Sequence, residues 1–503
     1  MKFGDLVKQL GSPAAKELTH GQAEELIAEQ GNELLRRLFQ GWLDAQGAGD
    51  LGPVLVGRDE VEREEKRYRE RGLQSLFGEV ELSRLSYESP GVPSLRPLDA
   101  ELNLPQESYS HGVRRKVAKQ AAKESFDEVV LGIGEHTGAH VPKRQAEELA
   151  QRAARDFDAF YAEERAERKP ESPSGAILVL STDGKGVPMR RSDLRPETRK
   201  AAAQREHKLK KRLSKGEKRS TKRMATVAAV YTVEEFVRSP GQIVAELGSV
   251  RDAAEAKRPR PENKRVWASV RKEQEQTIKE MFEEALRRDP QRQKRWMAVV
   301  DGNKSQIRLI RKYARHHGVE LVLVLDLIHV LEYLWKAAYV FHPEGSLEAE
   351  RWVTDRLEEV LEGRARQVVA NMRRAATRAG LSAQQRKPLD ICAGYLRGHL
   401  EMLRYDEYLA AGLPIASGVI EGACRYLVKD RMERTGASWG LEGAEAVLRL
   451  RAVYVSGDFE EYWQFHLRKE WERNHAHLYA EAPQRAQATS PPSPPVSRLR
   501  RIK

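Results

Sequence analysis

The sequence predicts an α/β core that is interrupted by an all-α insertion and preceded by a mainly helical N-terminal region. Strongly apolar, strand-like runs are concentrated between residues 176 and 326. Apolar residues at helical spacing then continue to about residue 411. Before residue 170, most of the chain has the spacing of amphipathic helices. These three observations set the predicted fold class.

The chain has 503 residues, of which 40% are hydrophobic and 32% are charged, and its formal net charge is +12 with a pI of about 9.4. This length is too great for one compact core, so about two to four domains are expected. The positive charge favours a polyanionic partner such as nucleic acid. Two cysteines, Cys392 and Cys424, cannot form a disulfide framework or a CxxC zinc site.

The beginning of the chain lacks the apolar segment of a secretory signal. No run reaches the ~18 apolar residues of a membrane span. We therefore expect a cytoplasmic protein. The family resemblance described below implies further that the cell is bacterial and that the protein is associated with the nucleoid.

Residues 1–107 are expected to form a helical region with a short β-hairpin. Apolar residues at helical spacing over 14–47 predict an amphipathic helix, which Pro13 and a glycine-rich segment bracket. Over 73–87 the pattern alternates instead, which predicts a pair of short strands.

Residues 108–170 return to helical spacing and predict a DNA-binding helix-turn-helix. Two helical runs are joined by the short segment TGAHVP; Ser125 can cap the first and Pro142 can begin the second. Two helices joined by a turn that contains glycine have the arrangement of that motif. The recognition helix would then begin with Lys143, Arg144 and Gln145. An ordinary helical hairpin fits the same pattern.

The composition changes after a predicted linker at 168–175. Five strand-like runs follow, with helical spacing between the later ones: AILVLSTD, RMATVAAVYTV, QIVAELGSV, WMAVVD and VELVLVLD. Three strands followed by strand, helix and strand is the order of an RNase H-like sheet, which we assign to the first part of the core, residues 175–329. In that fold one carboxylate lies on the first strand and another just after the fourth. Here these are Asp183 and Asp301.

Asp183 and Asp301 each end an apolar run at an Asp-Gly pair. Such a pair is common in ordinary turns, because both residue types tolerate turn geometry. The carboxyl ends of strands are also where α/β sheets bind ligands. Carboxylates there suit two Mg²⁺ or Mn²⁺ ions, which can clamp both oxygens of a phosphoryl transfer. We therefore predict that both residues are metal ligands with a catalytic role.

Glu421 is the third predicted carboxylate, on a helix within residues 412–470 that completes the core. At helical spacing Glu421, Arg425 and Lys429 share one face, and Ser417 can cap the helix. This pattern indicates a metal ligand followed by cations that contact phosphate. It also fits an ion pair on a solvated helix surface.

Arg431 and Trp439 follow on the same segment and are also candidate DNA contacts. Trp439 lies in a polar, glycine-flanked turn, where an exposed indole could stack on an unpaired base. It could equally be a packing anchor for the next helix.

Asp326 and His329 form an Asp-x-x-His pair at the end of the fifth apolar run. Residues three apart lie near one face of a helix, so the pair could orient a water, a metal ligand or the scissile region. We predict a supporting role, although a lone histidine in apolar surroundings is more often a core residue. Residues 330–411 would then be the all-α insertion.

Two segments have compositions that are typical of solvated chain. Residues 195–223 carry thirteen Lys and Arg against three Glu, which fits either a solvated charge run or a contact with a DNA backbone. Residues 482–503 are rich in proline and lack apolar periodicity, which predicts a disordered basic tail.

At these positions the chain resembles a DDE transposase of a bacterial insertion sequence, in particular the ISKra-four family. The matching stretches are STDGKGVP, VVDGN, DLIHVLEYLW and SGVIEGACRYLVKDRMERTGASW. The DLIH element is also similar to the signature of Mutator-type transposases. The resemblance covers roughly residues 70–460, and its most specific part surrounds Glu421.

The resemblance implies metal-dependent DNA cleavage and strand transfer at the ends of an insertion sequence. The N-terminal region would bind double-stranded DNA at terminal inverted repeats, and a homo-oligomer would hold the element ends together with target DNA. The core would hold two Mg²⁺ or Mn²⁺ ions through Asp183, Asp301 and Glu421. The alternatives are an RNase H-like endonuclease or resolvase without joining activity, and a helix-turn-helix DNA-binding regulator.

Overall fold

The computed structural model describes residues 3–163, 175–204, 221–247 and 258–479. The predicted tail lies outside the described residues, as do most of the predicted linker and most of the basic segment. The chain divides into two compact units. The described part of the terminal unit consists of residues 3–121, 126–156 and 460–479. The central unit consists of residues 122–125 and the described part of 157–459.

The terminal unit contains one long antiparallel hairpin. Its strands are β3 (Glu65–Ser75) and β4 (Gly78–Glu88), and a shorter pair, β1 (Leu55–Val56) and β2 (Glu62–Arg63), precedes them. The hairpin is longer than the strand pair predicted over 73–87. The extra residues of β3 are mostly charged, and they pair with β4 without presenting an apolar alternation in the sequence.

Helices make up most of the rest of the terminal unit. The predicted helix over 14–47 is observed as a 3₁₀ turn at Ala14–Glu17 followed by His20–Ala45, where Thr19 and Gln22 form a reciprocal capping box. The helices are Phe3–Leu10, His20–Ala45, Pro97–Glu101, His111–Ala121, Phe126–His136, Lys143–Ala153 and, from Glu460 onward, Phe459–Asn474. A 3₁₀ turn at Ala476–Leu478 follows.

The central unit is built on a five-stranded mixed sheet. Its strands are β5 (Ile177–Pro188), β6 (Lys222–Val233), β7 (Glu262–Ser269), β8 (Arg295–Val300) and β9 (Leu321–Leu325). Across the sheet they lie in the order β7-β6-β5-β8-β9. β5 is antiparallel to β6 and parallel to β8, β6 is antiparallel to β7, and β8 is parallel to β9. The predicted mixed α/β class is therefore confirmed.

Four of the five predicted strands are present, but the third was placed wrongly. The apolar run QIVAEL belongs to the helix Pro240–Leu247. Ser239 and Gln242 exchange hydrogen bonds at its start, as in a capping box, and Pro240 suits a first helical turn. The real third strand, β7, carries charged side chains that concealed it in the sequence.

Helices connect the parallel strands and follow the sheet. Gln274–Arg288 joins β7 to β8 and Lys304–His316 joins β8 to β9, close to the helical segments predicted there. The predicted all-α segment contains the helices Leu327–Ala338, Leu347–Leu361, Ala365–Arg378, Ala383–Gly398 and Tyr405–Ala410, with a 3₁₀ turn at Leu400–Met402. None of the helices in the described ranges is both long and apolar enough to cross a membrane.

The remaining elements of the central unit are short, except for one helix. The pieces Gly418–Ala423, Cys424–Lys429 and Asp430–Met432 are continuous, and the middle one is a π-helical turn. The others are the helices Phe157–Ala162, Pro196–Ala203, Pro240–Leu247 and Leu441–Val455 and the 3₁₀ turns Arg191–Asp193 and Arg434–Gly436.

Candidate metal centre

Three aspartates lie level with one another across three adjacent parallel strands. Ser181 of β5 is opposite Val299 of β8, so Asp183 and Asp301, each two residues further, lie side by side. The pairing of β8 with β9 places Asp326 beside Asp301 in the same way. Asp301 and Asp326 directly follow β8 and β9, at the carboxyl ends of strands where α/β proteins bind ligands. Asp183 instead lies inside β5, which continues to Pro188 and pairs there with β6, so the predicted strand end at Asp183 was wrong.

Backbone amides fix one oxygen of each aspartate. Asp183 Oδ1 accepts a hydrogen bond from the Gly184 amide over 2.6 Å. Asp301 Oδ1 accepts from the Asn303 amide over 2.8 Å, and Asp326 Oδ1 accepts from the Ile328 amide over 2.9 Å. Asp326 is also the N-cap of the helix Leu327–Ala338. The Oδ2 atoms of Asp183 and Asp326 accept from side chains, so these two carboxylates are held at both oxygens before any cation binds.

Glu421 lies on the short helix Gly418–Ala423, and a π-helical turn follows directly. The predicted common face with Arg425 and Lys429 assumed α-helical spacing throughout. In a π turn the hydrogen bonds run from i to i+5, so residues four apart no longer lie above one another. Arg425 is 80% exposed and lies 3.9 Å from Asp430 rather than beside the glutamate. Lys429 is also exposed.

Asp326, His329 and Glu421 converge on one point. His329 Nε2 lies 3.5 Å from Glu421 Oε1. One ligand atom from each of the three residues lies within 4.8 Å of the other two, and no other set of three such residues in the described chain meets that limit. Asp326 is buried, whereas His329 and Glu421 are partly open to solvent. The histidine is thus at the metal-ligand cluster and not in an apolar core.

The contacts that two side chains make with the carboxylates were not predicted from the sequence. The Cys424 thiol donates a hydrogen bond to Asp183 Oδ2 over 3.2 Å and links the Glu421 segment to β5. Ser417 does not cap its helix as predicted; its hydroxyl instead donates to Asp326 Oδ2. The position of Cys424, three residues after Glu421, was the available signal.

The cluster carries uncompensated negative charge. Burial raises the pKa of Asp301, and the nearby charge of Asp183 raises it further. Burial and Asp183 raise the pKa of Glu421 in the same order, while His329 opposes the change in both carboxyls. Within the described ranges, no Lys or Arg forms an ion pair with the four carboxylates Asp183, Asp301, Asp326 and Glu421. Such a site favours cations, and its oxygen donors fit Mg²⁺ or Mn²⁺.

Trp439 is buried and not exposed, at 8% accessibility. Its Nε1 donates to the carbonyl of Met432 over 2.9 Å, and the guanidinium of Arg431 lies 4.8 Å from the ring centre. Arg431 is itself buried. In this conformation both side chains contribute to packing, so the packing interpretation of Trp439 is the one that the geometry favours.

The predicted recognition residues are at the surface of the terminal unit. Lys143 and Arg144 are exposed in the first turn of Lys143–Ala153, and Gln145 is half-buried. Lys143 pairs with Asp127 over 2.8 Å, and Arg144 pairs with Glu148 over 3.1 Å. Exposed ion pairs of this kind are weak and can be exchanged for contacts with phosphate.

Gly302 follows Asp301 at a backbone angle φ of +90°, in a close contact with the all-α segment. A Cβ added there would lie 2.8 Å from Tyr395 Cε2. The Tyr395 hydroxyl donates to the carbonyl of Asp301 over 2.9 Å, and His399 Nε2 lies 3.1 Å from the carbonyl oxygen of Gly302. Glycine is therefore needed both for the φ angle and for the space.

We expect Gly302→Ala to lower the free energy of unfolding by roughly 2–5 kcal/mol, because left-handed backbone strain and overpacking add. Urea denaturation followed by circular dichroism measures the change. Gly345→Ala is the matched control, since Gly345 has φ of +80° and no atom within 4 Å of the added Cβ. Equal losses in the two variants would show that the contact with Tyr395 contributes nothing.

No protein-family model matches this chain, and a comparison with curated proteins finds no match. The assignment of a function therefore depends on the residues and geometry described above.

Proposed function

We propose that this chain is a DNA transposase that catalyses metal-dependent cleavage and strand transfer at the ends of an insertion sequence. The observation that carries the proposal is the level placement of Asp183 and Asp301 on adjacent parallel strands, with the Glu421 segment held against Asp183 by Cys424. A cluster of carboxylates at a sheet edge is suited to divalent cations and phosphoryl transfer.

We further propose that the central unit has an RNase H-like fold. Three consecutive antiparallel strands followed by two parallel ones, in the order β7-β6-β5-β8-β9, support it. In this assignment β5 would be the first strand, which carries Asp183, and β8 would be the fourth, which Asp301 directly follows. The helices Leu327–Ala338 to Tyr405–Ala410 would be the insertion between the sheet and the Glu421 segment.

Asp183, Asp301 and Glu421 would hold two Mg²⁺ or Mn²⁺ ions in the proposed enzyme. When bound, these ions would polarise the phosphoryl group and lower the pKa of an attacking water or 3′-hydroxyl. The protein would supply these ligands in fixed positions, because backbone amides hold the carboxylates of Asp183 and Asp301. Burial, and then the charge of Asp183, raise the pKa of Cys424. The thiol donates a hydrogen bond to Asp183 Oδ2, so its proposed role is to position that carboxylate.

Double-stranded DNA is the proposed substrate and partner, and the net charge of +12 supports a polyanion. Lys143, Arg144 and Gln145 are proposed to contact the terminal inverted repeats from the start of their helix. Arg425 and Lys429 are exposed close to Glu421 in sequence and would contact phosphates near the scissile bond or in target DNA. Joining two element ends would require a homo-oligomer.

The test is a cleavage and joining assay with Mg²⁺ or Mn²⁺ on DNA that carries the sequences flanking this gene. Wild type is compared with Glu421→Gln and with Glu332→Gln, which removes a nearby exposed negative charge. We expect joining by wild type and Glu332→Gln, and none by Glu421→Gln with DNA binding intact. Cleavage without joining would indicate an endonuclease or resolvase. Binding that is indifferent to both substitutions, without cleavage, would indicate a regulator.

A further inference from the structure

The Asp326, His329 and Glu421 cluster has the separations of ligands around a single ion. Bonds from a first-row divalent metal to nitrogen or oxygen are about 2.0–2.2 Å long, so two ligand atoms on one ion lie roughly 3–4 Å apart. The observed 3.5 Å between His329 Nε2 and Glu421 Oε1 falls in this range. All three ligand atoms lie within 4.8 Å of one another, so only small side-chain shifts would bring them into contact with one ion.

Two of these ligands are held on a rigid element. Asp326 and His329 lie three residues apart at the start of Leu327–Ala338, so their side chains lie near one face of the helix. The buried carboxylate of Asp326 is oriented by the Ile328 amide and by the Ser417 hydroxyl. Outer hydrogen bonds that orient a ligand are typical of metal sites in proteins.

The chemistry of the set differs from that of Asp183 and Asp301. Oxygen ligands suit Mg²⁺, whereas an imidazole suits transition metals and adds little affinity for Mg²⁺. His329 and Glu421 keep part of their surface open to solvent, so water could complete the coordination. The third ligand, Asp326, supplies a charged oxygen from the buried side.

We propose that Asp326, His329 and Glu421 bind one divalent transition-metal ion, in preference to Mg²⁺, and that Glu421 is shared with the site of Asp183 and Asp301. The role of this ion in DNA chemistry rests on the proposed function, but its binding does not. His329 is then a direct metal ligand, and not only a residue that supports the other carboxylates.

The test uses Mn²⁺ as the probe on the full-length, metal-stripped protein in the absence of DNA. Electron spin-echo envelope modulation of the bound Mn²⁺ detects a coordinated imidazole nitrogen. We expect this ¹⁴N signal in wild type and in His316→Gln, where an exposed histidine is replaced, and its loss in His329→Gln. We also expect His329→Gln to weaken Mn²⁺ binding at least tenfold while Mg²⁺ affinity changes much less. Asp326→Asn, which removes a charged oxygen ligand, should also weaken Mn²⁺ binding at least tenfold.

A second variant guards against a folding defect. His329→Cys replaces the imidazole with a thiolate ligand, so it should bind Co²⁺ and give a thiolate-to-metal absorption band that His316→Cys lacks. Absence of the ¹⁴N signal in wild type, or its persistence in His329→Gln, would overturn the proposal. Asp301→Asn should lose joining but keep the ¹⁴N signal, so failure of the metal site and failure of the transposase proposal are separable.

Discussion

In the proposed transposase, Asp301→Asn is expected to reduce strand cleavage and joining by roughly a hundred- to a thousandfold, which is the scale observed when one preorganised electrostatic group is removed from an active site. Asp301 is the central member of the row of three aspartates, between Asp183 and Asp326. The amide keeps the shape of the carboxylate, and its oxygen can still accept from the Asn303 amide. The variant therefore removes charge and leaves the local fold.

The same substitution is expected to stabilise the protein in the absence of divalent cations. Burial and Asp183 raise the pKa of Asp301 in the folded state, so the folded protein binds this proton more tightly than the unfolded chain does. The ionised carboxylate thus costs stability once the pH exceeds its unfolded pKa, and that cost is fully present above the raised folded pKa. Asparagine removes this cost in stability. At this position, therefore, the charge that the proposed activity needs lowers the stability of the metal-free protein.

Thermal unfolding at pH 7 in a chelator, and again with Mg²⁺, measures this effect beside the cleavage assay. The variant should unfold at a higher temperature than wild type in chelator, and Mg²⁺ should stabilise wild type more than the variant. Asp355→Asn, an exposed acid on Leu347–Leu361, is the control and should alter neither quantity. A variant that is inactive and also less stable in chelator would mean that Asp301 has a structural role.

The parts of the fold that were predictable have local causes. β5, β6, β8 and β9 contain apolar runs whose patterns are visible without knowledge of neighbours. β5 continues beyond its run to Pro188, because those residues pair with β6. β7 was missed because Lys264 and Arg265 interrupt its apolar pattern, and the charge of Arg265 is satisfied by a distant residue, Glu284. The run QIVAEL was mistaken for a strand because of its β-branched side chains. It forms a helix because the capping bonds between Ser239 and Gln242 outweigh that preference.

The candidate site divides in the same way. Asp183 and Asp301 could be named because each apolar run stops at an Asp-Gly pair, and Glu421 because it lies in a glycine-rich helix. Their catalytic role stays a prediction. The Cys424 thiol, which donates to Asp183, is 241 residues away from it in the sequence. The Ser417 hydroxyl, which donates to Asp326, is 91 residues away. One sequence has no local pattern that signals such pairs. The π turn after Glu421 was likewise invisible, because α-helical spacing was assumed for every cation that follows.

Glu284→Ala is expected to lower the free energy of unfolding by about 3–5 kcal/mol, the usual result when one partner of a buried ion pair is removed. Glu284 lies on Gln274–Arg288 and is buried with Arg265, one of the charged residues of the edge strand β7. It also accepts from Arg287 over 2.8 Å and from Arg288 over 2.7 Å. Without the carboxylate, Arg265 would remain buried with its charge uncompensated.

The loss of unfolding free energy in Glu284→Ala should depend on pH. Burial alone would raise the pKa of Glu284, but the guanidinium groups of Arg265, Arg288 and Arg287 lower it well below the ordinary range. A lowered folded pKa contributes stability that is fully present above the unfolded pKa of about 4.3 and is lost as the pH falls towards the folded value. The difference between wild type and Glu284→Ala should therefore be constant from pH 5 to 7 and shrink below about pH 4.

A double substitution separates the charge from the packing. Arg265→Met with Glu284→Leu removes the buried pair and leaves apolar side chains of similar volume, so we expect most of the lost stability to return. Urea denaturation of wild type, of Arg265→Met, of Glu284→Leu and of the double variant gives the coupling energy between the two residues. Glu401→Ala, which breaks an exposed pair with Arg311, should cost less than about 1 kcal/mol. If the double variant is as unstable as Glu284→Ala, the ion pair does not account for the loss, and the glutamate acts through its contacts with Arg287 and Arg288.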